Sequence, residues 1–352
     1  MKNIAFKIFG LALLATVVLS ACDEEETPQP KLEVIENLEK GIMNGTLTED
    51  YTLSASVQYQ LTGSFIVPAG FTLTIPAGTQ ILADAAGTEV YIAILMGGKI
   101  NIEGTAANPV VMASADALPG DWGGLTICGK ATTTAGVDAE AEVGGFKYGG
   151  AEDTDNSGSV KYLVIKGTGA QINSESQYNG VSLYAVGSET ILENIAVING
   201  ADDGVEFFGG TVSVTNLYLE NNEDDAIDWT EGWNGTVENA YVEHTIEGFS
   251  TVVEADKDNQ NPKLINLTAV STTGGTALQF KKESGATITG LYLEGYAADL
   301  DMKDGGALAN VQIDGANADA TLIDGQTTLY TLNSGKTSTK LDISAWTWFS
   351  IN

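Results

Sequence analysis

The chain has 352 residues, of which 43% are hydrophobic and 41 are glycine, and this is enough apolar material for a large folded core. Its 47 acidic residues face only 16 basic residues, all of them lysine, so the formal net charge is −31. Such a surface repels nucleic acid and attracts divalent cations, which excludes nucleic-acid binding as a function.

Residues 1–21 have the pattern of an export signal, because Lys2 and Lys7 precede a short apolar run that ends in small residues. The run is too short to favour a membrane span. Its last residues, Leu-Ser-Ala-Cys, resemble the lipobox of bacterial lipoproteins, and the resemblance implies a lipidated Cys22. An ordinary secretory signal with a chance cysteine is the alternative.

Four acidic residues follow Cys22, and they are similar to the tag that sends Bacteroidetes lipoproteins to the outer face of their outer membrane. The resemblance implies a lipid-anchored protein of the cell outer membrane that faces the extracellular side. A solvated charged linker is the alternative interpretation. We predict an acidic tether over residues 22–45, followed by a folded part in which Cys128 is a buried apolar residue.

From residue 46 the chain alternates apolar and polar residues between Gly and Pro, as short strands do. A short phrase then recurs with steps of 22, 23, 27, 24 and 20 residues. The equivalent positions are Asn194, Asn216, Asn239, Asn266, Gly290 and Asn310. A recurrence of this length is typical of a solenoid, in which each repeat forms one coil stacked on the last.

The segments TLTIPAGTQI and GGKINIEGTAANPVVMAS resemble opening coils of the pectin-lyase-like superfamily. The resemblance implies an all-β fold, a right-handed single-stranded parallel β-helix over residues 46–352. Residues 131–159 break the rhythm and predict a long loop, and the closing AWTWFSIN predicts a cap.

Within each repeat, the positions one and three residues after the reference position are apolar, so they should line the core. These positions are Ile195, Val197, Leu217, Leu219, Ala240, Val242, Leu267, Ala269, Leu291, Leu293, Val311 and Ile313. Position five holds Asn199, Asn221 and His244, which predicts an asparagine ladder and a structural role for the only histidine. In the next strand Val205, Ile227 and Phe249 should stack inward, as should Phe207 and Trp229.

Acidic residues recur in the same register. Asp203, Asp225 and Glu247 are 22 residues apart, which predicts one column of carboxylates. Two further pairs, Asp202 with Asp224 and Glu206 with Asp228, should lie beside it. Neighbouring coils are ~4.8 Å apart, so these carboxylates repel each other unless something compensates. A Ca²⁺ ion, raised pKa values, or hydrogen bonds from Asp to turn amides are the three solutions.

A second candidate Ca²⁺ site begins at Asp153-Thr-Asp155-Asn-Ser-Gly, which matches the start of a calcium-binding loop. The position that should supply a bidentate Glu is Val164, so the match is partial. A turn built by Asp and Asn side chains is the alternative.

The outer face of the first strand carries a stripe of tyrosines and glutamates that suits a glycan, since sugar rings stack on aromatic rings and donate hydrogen bonds to acids. The stripe consists of Tyr218, Glu220, Tyr241, Glu243, Tyr292 and Glu294. Ordinary cross-strand pairing of tyrosines, or their burial under the long loop, is the alternative.

The blocks WGGL, DNSG and DDGVEFFGG resemble a group of Bacteroidetes secreted and lipid-anchored β-helix proteins, which implies export to the surface and no particular activity. Pectate lyases and polygalacturonases belong to the same superfamily. The arginine base of many pectate lyases has no counterpart in this chain. The paired Asp202 and Asp203 resemble those of polygalacturonases, whose basic motif is missing here.

We therefore expect a non-catalytic surface lipoprotein that binds Ca²⁺ and an extended glycan or surface partner. The first alternative is a polysaccharide-degrading enzyme that uses Asp203, Glu206, Asp225 and Asp228, because glycoside cleavage needs only two suitably spaced carboxylates. The second is a structural protein docked on an outer-membrane transporter.

Overall fold

A computed structural model describes residues 30–174, 176–281, 283–303, 310–317, 330–332 and 336–350. The predicted signal, Cys22 and the acidic residues after it lie outside these ranges. The elements in chain order are α1 (Pro30–Glu39), β1 (Ile42–Thr46), β2 (Tyr51–Thr52), β3 (Gln58–Val67), β4 (Thr72–Pro76), β5 (Gln80–Ala83), β6 (Ile92–Ile94), β7 (Lys99–Glu103), β8 (Val110–Ser114), β9 (Leu125–Cys128), β10 (Ala139–Glu140), β11 (Lys147–Tyr148), β12 (Gly158–Lys166), β13 (Val181–Tyr184), β14 (Ile191–Ile198), β15 (Val205–Phe208), β16 (Ser213–Glu220), β17 (Ile227–Thr230), β18 (Thr236–His244), β19 (Thr251–Ala255), β20 (Lys263–Ser271), β21 (Thr276–Phe280), β22 (Gly285–Glu294), β23 (Ala298–Met302), β24 (Asn310–Ala316) and β25 (Tyr330–Leu332).

The strands form one continuous parallel sheet that winds as a right-handed β-helix with three faces, which confirms the predicted fold class. Each long strand from β12 to β22 bends once, so its first half belongs to face one and its second half to face two. Face three is the stack of short strands β6, β9, β13, β15, β17, β19, β21 and β23. Among the strands of the described ranges, β10 and β11 are the one antiparallel pair, and an isolated antiparallel bridge joins Gln171 to Gln177.

The bend between faces one and two is made by the recurring asparagine. Asn194, Asn216, Asn239 and Asn266 all have φ between 56° and 60°, a left-handed conformation that Asn tolerates better than most residues. The side-chain amides of Asn216, Asn239 and Asn266 each donate a hydrogen bond to the preceding asparagine, at 2.9, 3.1 and 2.9 Å along the stack. The asparagine ladder is therefore at the reference position, and the prediction at position five is wrong.

The residues of that predicted ladder have other partners. Asn221 accepts a hydrogen bond from the backbone of Thr245, whereas His244 stacks on Phe249 with 3.7 Å between ring centroids. The Nδ1 atom of His244 lies 3.1 Å from the hydroxyl of Tyr296. These contacts fit a structural role for His244. The role is aromatic stacking on Phe249 and not membership of an asparagine ladder.

The core lies between the three faces and contains all but one of the described side chains that were predicted to point inward, each at most 3% exposed. The exception is Phe249, which is 8% exposed and outside the main core, so its prediction is wrong. The side chain of Val311 is outside the described part. In face three, Val205 and Ile227 stack in register with Val253, and Phe207 and Trp229 stack with Ala255. Phe249 does not continue this column, since the coil that contains it is four residues longer before the strand begins.

The start of the coil stack is covered by α1. Leu38 is fully buried and belongs to the main core, and Val34 and Ile35 pack against it. The described part of the predicted tether is therefore a helix and a strand, β1, that close the first coil. No helix in the described ranges is both long and apolar enough to span a membrane.

The loop predicted around residues 131–159 leaves the coil after β9 and folds back over face three; we call residues 131–150 the excursion. Val143 and Tyr148 bury their side chains against Cys128, Tyr184 and Phe208 on the outside of that face. Cys128 is fully buried, as predicted, and burial raises the pKa of its thiol to about 12. The excursion is therefore fixed in place and forms a wall beside face three.

Candidate functional site: an acidic cleft on face three

The acidic cleft lies where the chain turns from face two into face three. Asp202 and Asp203 occupy this turn in one coil, and Asp224 and Asp225 occupy it in the next. Glu206, Asp228 and Glu254 follow on β15, β17 and β19, directly above one another and pointing out of the core. The cleft has a volume of about 270 Å³. Its remaining walls are Glu142 of the excursion, Ser174, Ser176 and Gln177.

The predicted column is confirmed for two members and wrong for the third. The carboxylate of Asp203 accepts a hydrogen bond from the backbone amide of Asp225 at 2.9 Å, so these two residues are direct neighbours. Glu247 is exposed and lies in the extra residues of the longer coil. Thr251 fills the place beside Asp225 and donates a hydrogen bond to its carboxylate at 2.5 Å.

Two groups of three carboxylates place one oxygen per residue within 4.8 Å of each other. The first is Asp202, Asp203 and Asp224 at the half-exposed mouth, and the second is Asp203, Glu206 and Asp228 in the buried floor. Asp203 belongs to both. Its hydrogen bond to a turn amide is one of the predicted compensations, but that bond does not reach the Oδ1 atom of Asp228 in the floor.

The floor is short of hydrogen-bond partners. Glu206 accepts a hydrogen bond from the amide of Asn179 at 2.6 Å. Asp228 is 9% exposed, and its Oδ1 atom has no hydrogen-bond partner within the described part of the chain. A buried carboxylate oxygen without a donor costs several kcal/mol, of the order given for unpaired buried groups, unless it is protonated or bound to a cation.

Burial is the main cause of the altered acidity in this cleft. It raises the pKa of Asp202 to about 8 and that of Asp225 to about 7, with additional repulsion from Asp224 in both cases. The pKa values of Asp203, Glu206 and Asp228 are raised well above their ordinary range, first by burial and then by the neighbouring carboxylates. Glu142 follows the same pattern, with a pKa of about 7.

The carboxylate oxygens of the cleft have a spacing that Ca²⁺ can use. Ca²⁺ takes 6–8 oxygens at about 2.3–2.6 Å, so two ligands of one ion are up to ~5 Å apart. The separations within each carboxylate group fall inside that limit. Lys281 pairs with Glu254 at the edge of the cleft. The residues of the cleft therefore fit a divalent cation. The strongest indication is the Oδ1 atom of Asp228, which has no hydrogen-bond donor among the described residues.

Asp153 and Asp155, the second predicted calcium ligands, are not part of such a group in the described ranges. Hydrogen bonds from Thr132, through its side chain and through its backbone amide at 2.9 Å, lower the pKa of Asp153. Asp155 accepts one from the Ser157 hydroxyl at 3.1 Å, and Asn156 accepts one from the amide of Gly158. The segment is a turn built by Asp and Asn side chains, the alternative interpretation.

The tyrosine stripe is in register on the outside of face two, yet it is not an open surface. Tyr218 and Tyr241 stack with 6.1 Å between ring centroids, but they are only 4% and 8% exposed. Residues 336–350, which we call the strap, run back along this face, and Phe349 stacks on Tyr218 at 3.8 Å. Tyr292 keeps partial exposure and donates a hydrogen bond to Glu294.

The other glutamates of the stripe point toward the same tyrosines. The hydroxyl of Tyr218 donates to Glu220 at 2.9 Å and reaches Glu243 at 3.4 Å. The predicted open platform for a sugar is therefore filled by the protein's own C-terminal segment, which is not the end cap that the sequence suggested. Tyr218 and Tyr241 are buried by the strap, not by the long loop.

Sequence reasoning missed Glu254, Asn179 and Glu142. Glu254 is in register with Asp228, a relation hidden by the longer coil between them. Asn179 and Glu142 come from loops with no repeat, and nothing in the sequence places them here.

Comparison with known families supplies one match. A family described as a pectate-lyase like β-helix domain matches residues 45–347. No curated protein and no solved structure matches the chain.

Proposed function

This chain belongs to the family of pectate-lyase-like β-helix domains, and we propose that it is a non-catalytic binding protein that holds Ca²⁺ in the acidic cleft and an acidic glycan through that ion. The fold fits a role connected with carbohydrates. The observation that carries the proposal is the convergence of Asp203, Glu206 and Asp228 around a buried oxygen of Asp228 that has no donor among the described residues.

The choice of ion follows from the donor set. Carboxylates in two overlapping groups offer hard oxygen ligands in an irregular arrangement, which suits Ca²⁺ better than Mg²⁺, since Mg²⁺ demands near-octahedral geometry and keeps its waters. Asp203, Glu206 and Asp228 would hold the ion. When bound, Ca²⁺ supplies positive charge where the protein has almost none.

The choice of ligand follows from the charge balance. An acidic polysaccharide such as a polyuronate is repelled by a chain of net charge −31, unless a cation lies between the two. The half-exposed carboxylates of Asp202 and Asp224 stand at the mouth of the cleft, where a bound ion would meet such a ligand.

The test of cation binding is calorimetric titration of Ca²⁺ into the chain from residue 23 onward, after treatment with EDTA. We expect saturable binding in the wild type and a loss of at least about tenfold in affinity for Asp228→Asn, since the amide removes one charged ligand. Asp116→Asn, an exposed carboxylate outside the cleft, is the matched control. Absence of binding in the wild type, or equal binding by Asp228→Asn, would contradict the proposal.

The test of glycan binding uses polygalacturonate with Ca²⁺ or with EDTA. We expect binding only with Ca²⁺, with no new reducing ends and no rise in absorbance at 235 nm from unsaturated products. Release of products would favour the second candidate.

The second candidate is a polysaccharide-degrading enzyme, favoured by one specific observation. Asp225 and Asp202 have pKa values of about 7 and about 8, so each is partly protonated near neutral pH and can act as a general acid. A neighbouring ionised carboxylate would be the base or nucleophile. Product release that is abolished by both Asp203→Asn and Asp225→Asn would establish this activity.

We also propose that the protein is a lipoprotein of the Bacteroidetes surface group, anchored through Cys22 and facing outward. The support is the lipobox-like sequence and the acidic residues that follow it. Metabolic labelling with an alkyne fatty acid, lost in Cys22→Ala, together with protease accessibility on intact cells, tests the anchor and its orientation separately.

A further inference from the structure

A second cleft opens on the other side of the excursion, where the strands of face three end. Its volume is about 270 Å³, the same as that of the acidic cleft. One wall is the run Thr132, Thr133 and Thr134 at the start of the excursion. The other residues that line it are Asp153, Gly210, Thr211, Glu231, Gly232, Asn234 and Gln260.

The threonine wall is fixed by hydrogen bonds to successive coils. The carbonyl of Thr132 accepts from the amide of Gly210 at 2.8 Å, and the amide of Thr134 donates to the carbonyl of Glu231 at 3.1 Å. The side chain of Thr133 donates to the carboxylate of Glu231 at 2.7 Å. The cleft is therefore preformed, which lowers the entropy cost of binding a ligand.

Two glycines make this close fit possible. Gly209 has φ +65°, and a Cβ atom at that position would lie 2.6 Å from Thr133. Gly232, with φ +77°, would bring a Cβ atom to 3.1 Å from the methyl group of Thr134. Both glycines have a positive φ that other residues rarely adopt. Because they lack a Cβ atom, the threonine wall can lie against the coils.

The chemistry of this lining differs from that of the acidic cleft. Hydroxyl, amide and carboxylate groups are interleaved with threonine methyl groups, and no lysine lines the cleft in the described part of the chain. The side-chain amides of Asn234 and Gln260 are exposed and have no hydrogen-bond partner among the described residues. Asp153 and Glu231 repel anions, so uronates and phosphates are disfavoured.

We infer that this cleft binds a neutral saccharide without a cation. A neutral sugar carries several hydroxyl groups, each a donor and an acceptor, and C–H surfaces between them. Carboxylates accept from hydroxyl groups, the amides of Asn234 and Gln260 both donate and accept, and the threonine methyl groups contact the C–H surfaces. The protein would thus hold two glycan classes on opposite sides of the excursion.

The experiment is calorimetric titration, in EDTA, of mannohexaose, cellohexaose and xylohexaose into the chain from residue 23 onward. At least one neutral hexaose should bind the wild type, and the double variant Asn234→Ala, Gln260→Ala should bind it about tenfold more weakly, because both amides donate hydrogen bonds to it. Gln58→Ala, an exposed amide on β3, is the matched control and should bind like the wild type.

The outcomes separate this site from the proposed cation site. Asp228→Asn should leave hexaose binding unchanged, and the double variant should keep normal Ca²⁺ binding. The inference is overturned if none of the three hexaoses binds the wild type, if the double variant binds as tightly, or if binding requires Ca²⁺. Neither substituted amide has a partner in the described fold, so a loss of folding is not expected, and an unchanged melting temperature verifies this.

Discussion

The asparagines at the bend between faces one and two, Asn194, Asn216, Asn239 and Asn266, have two structural roles. All four adopt a left-handed φ that turns the chain from face one to face two, and Asn216, Asn239 and Asn266 each donate a hydrogen bond to the asparagine of the preceding coil. Asn216 is central, because it donates to Asn194 and accepts from Asn239. Gly290 occupies the equivalent position in a later coil with φ +74°, so glycine can also form this bend.

We predict that Asn216→Ala lowers the free energy of unfolding by about 2–4 kcal/mol, since it removes two hydrogen bonds and places a Cβ residue without a polar side chain in the left-handed region. Asn216→Gly should cost roughly half as much, because glycine adopts this φ without strain. Urea midpoints of the two variants provide the measurement. Equal midpoints would show that the backbone conformation contributes nothing.

The buried carboxylates make stability depend on pH in a defined direction. The pKa values of Asp225 and Asp202 are about 7 and about 8 in the folded protein, against ordinary values near 4 in the unfolded chain. The folded state therefore holds protons that the unfolded state releases. Without a cation, this contribution to stability is complete below about pH 4 and is lost as the pH rises to 8.

We predict that the melting temperature in EDTA falls between pH 6.5 and pH 8.5, and that Asp228→Asn melts at a higher temperature than the wild type at pH 8.5. His244 opposes this trend only weakly. Burial lowers its pKa to about 4, so it is neutral in the folded protein, and the unfolded chain, with an ordinary histidine pKa near 6.5, binds part of a proton only at the lower end of the window. With Ca²⁺ the order should reverse, since the amide cannot replace a charged ligand. Scanning calorimetry at both pH values provides the measurement; a rising or flat profile in EDTA would contradict the prediction.

The strap covers the outer surface of face two. Trp348 is 1% exposed and lies edge-on to Tyr162, and Leu341 donates its backbone amide to Thr268 at 2.9 Å. Lys340 pairs with Glu294 at 3.1 Å. These contacts hold the strap along face two and keep Tyr218 and Tyr241 from solvent.

We predict that Trp348→Ala releases the strap, because loss of a buried Trp side chain costs about 3–5 kcal/mol and the segment has no strand pairing over most of its length. Hydrogen exchange over residues 336–350 should accelerate, as should proteolysis there. Trp346→Ala is the matched control, since Trp346 is half-buried, and its effect should be clearly smaller. Equal protection of the two variants would mean that Trp348 does not anchor the strap.

The longer coil before β19 and the strap show which features the sequence repeat does not predict. The inward positions and the pairing of Asp203 with Asp225 could be predicted, because both depend only on strand alternation and a repeat of 22 residues. Glu247 could not, since four extra residues before β19 shift the register and bring Thr251 and Glu254 into place. The cover over Tyr218 could not either, because Phe349 is 131 positions away (349 − 218 = 131) and shares no repeat with it.

At the scale of the whole molecule, the stack of coils forces its charges into proximity. With 47 acidic and 16 basic residues, the excess of 31 negative charges (47 − 16) is spread over a regular array of strands ~4.8 Å apart. Folding brings these charges closer together than they are in the expanded chain. The self-repulsion opposes folding, and mobile cations reduce it by screening.

We predict that raising NaCl from 20 to 300 mM increases the melting temperature by a few degrees in EDTA, because the Debye length shortens from about 20 Å to about 6 Å and the repulsion between coils weakens. At constant ionic strength, 1 mM CaCl₂ should add a further increase that screening cannot explain. That second increase should vanish in Asp228→Asn and persist in Asp116→Asn, whereas the response to NaCl should be the same in all three proteins. If Ca²⁺ stabilised Asp228→Asn as much as the wild type, its effect would be general screening, and the acidic cleft would not be the place where the ion binds.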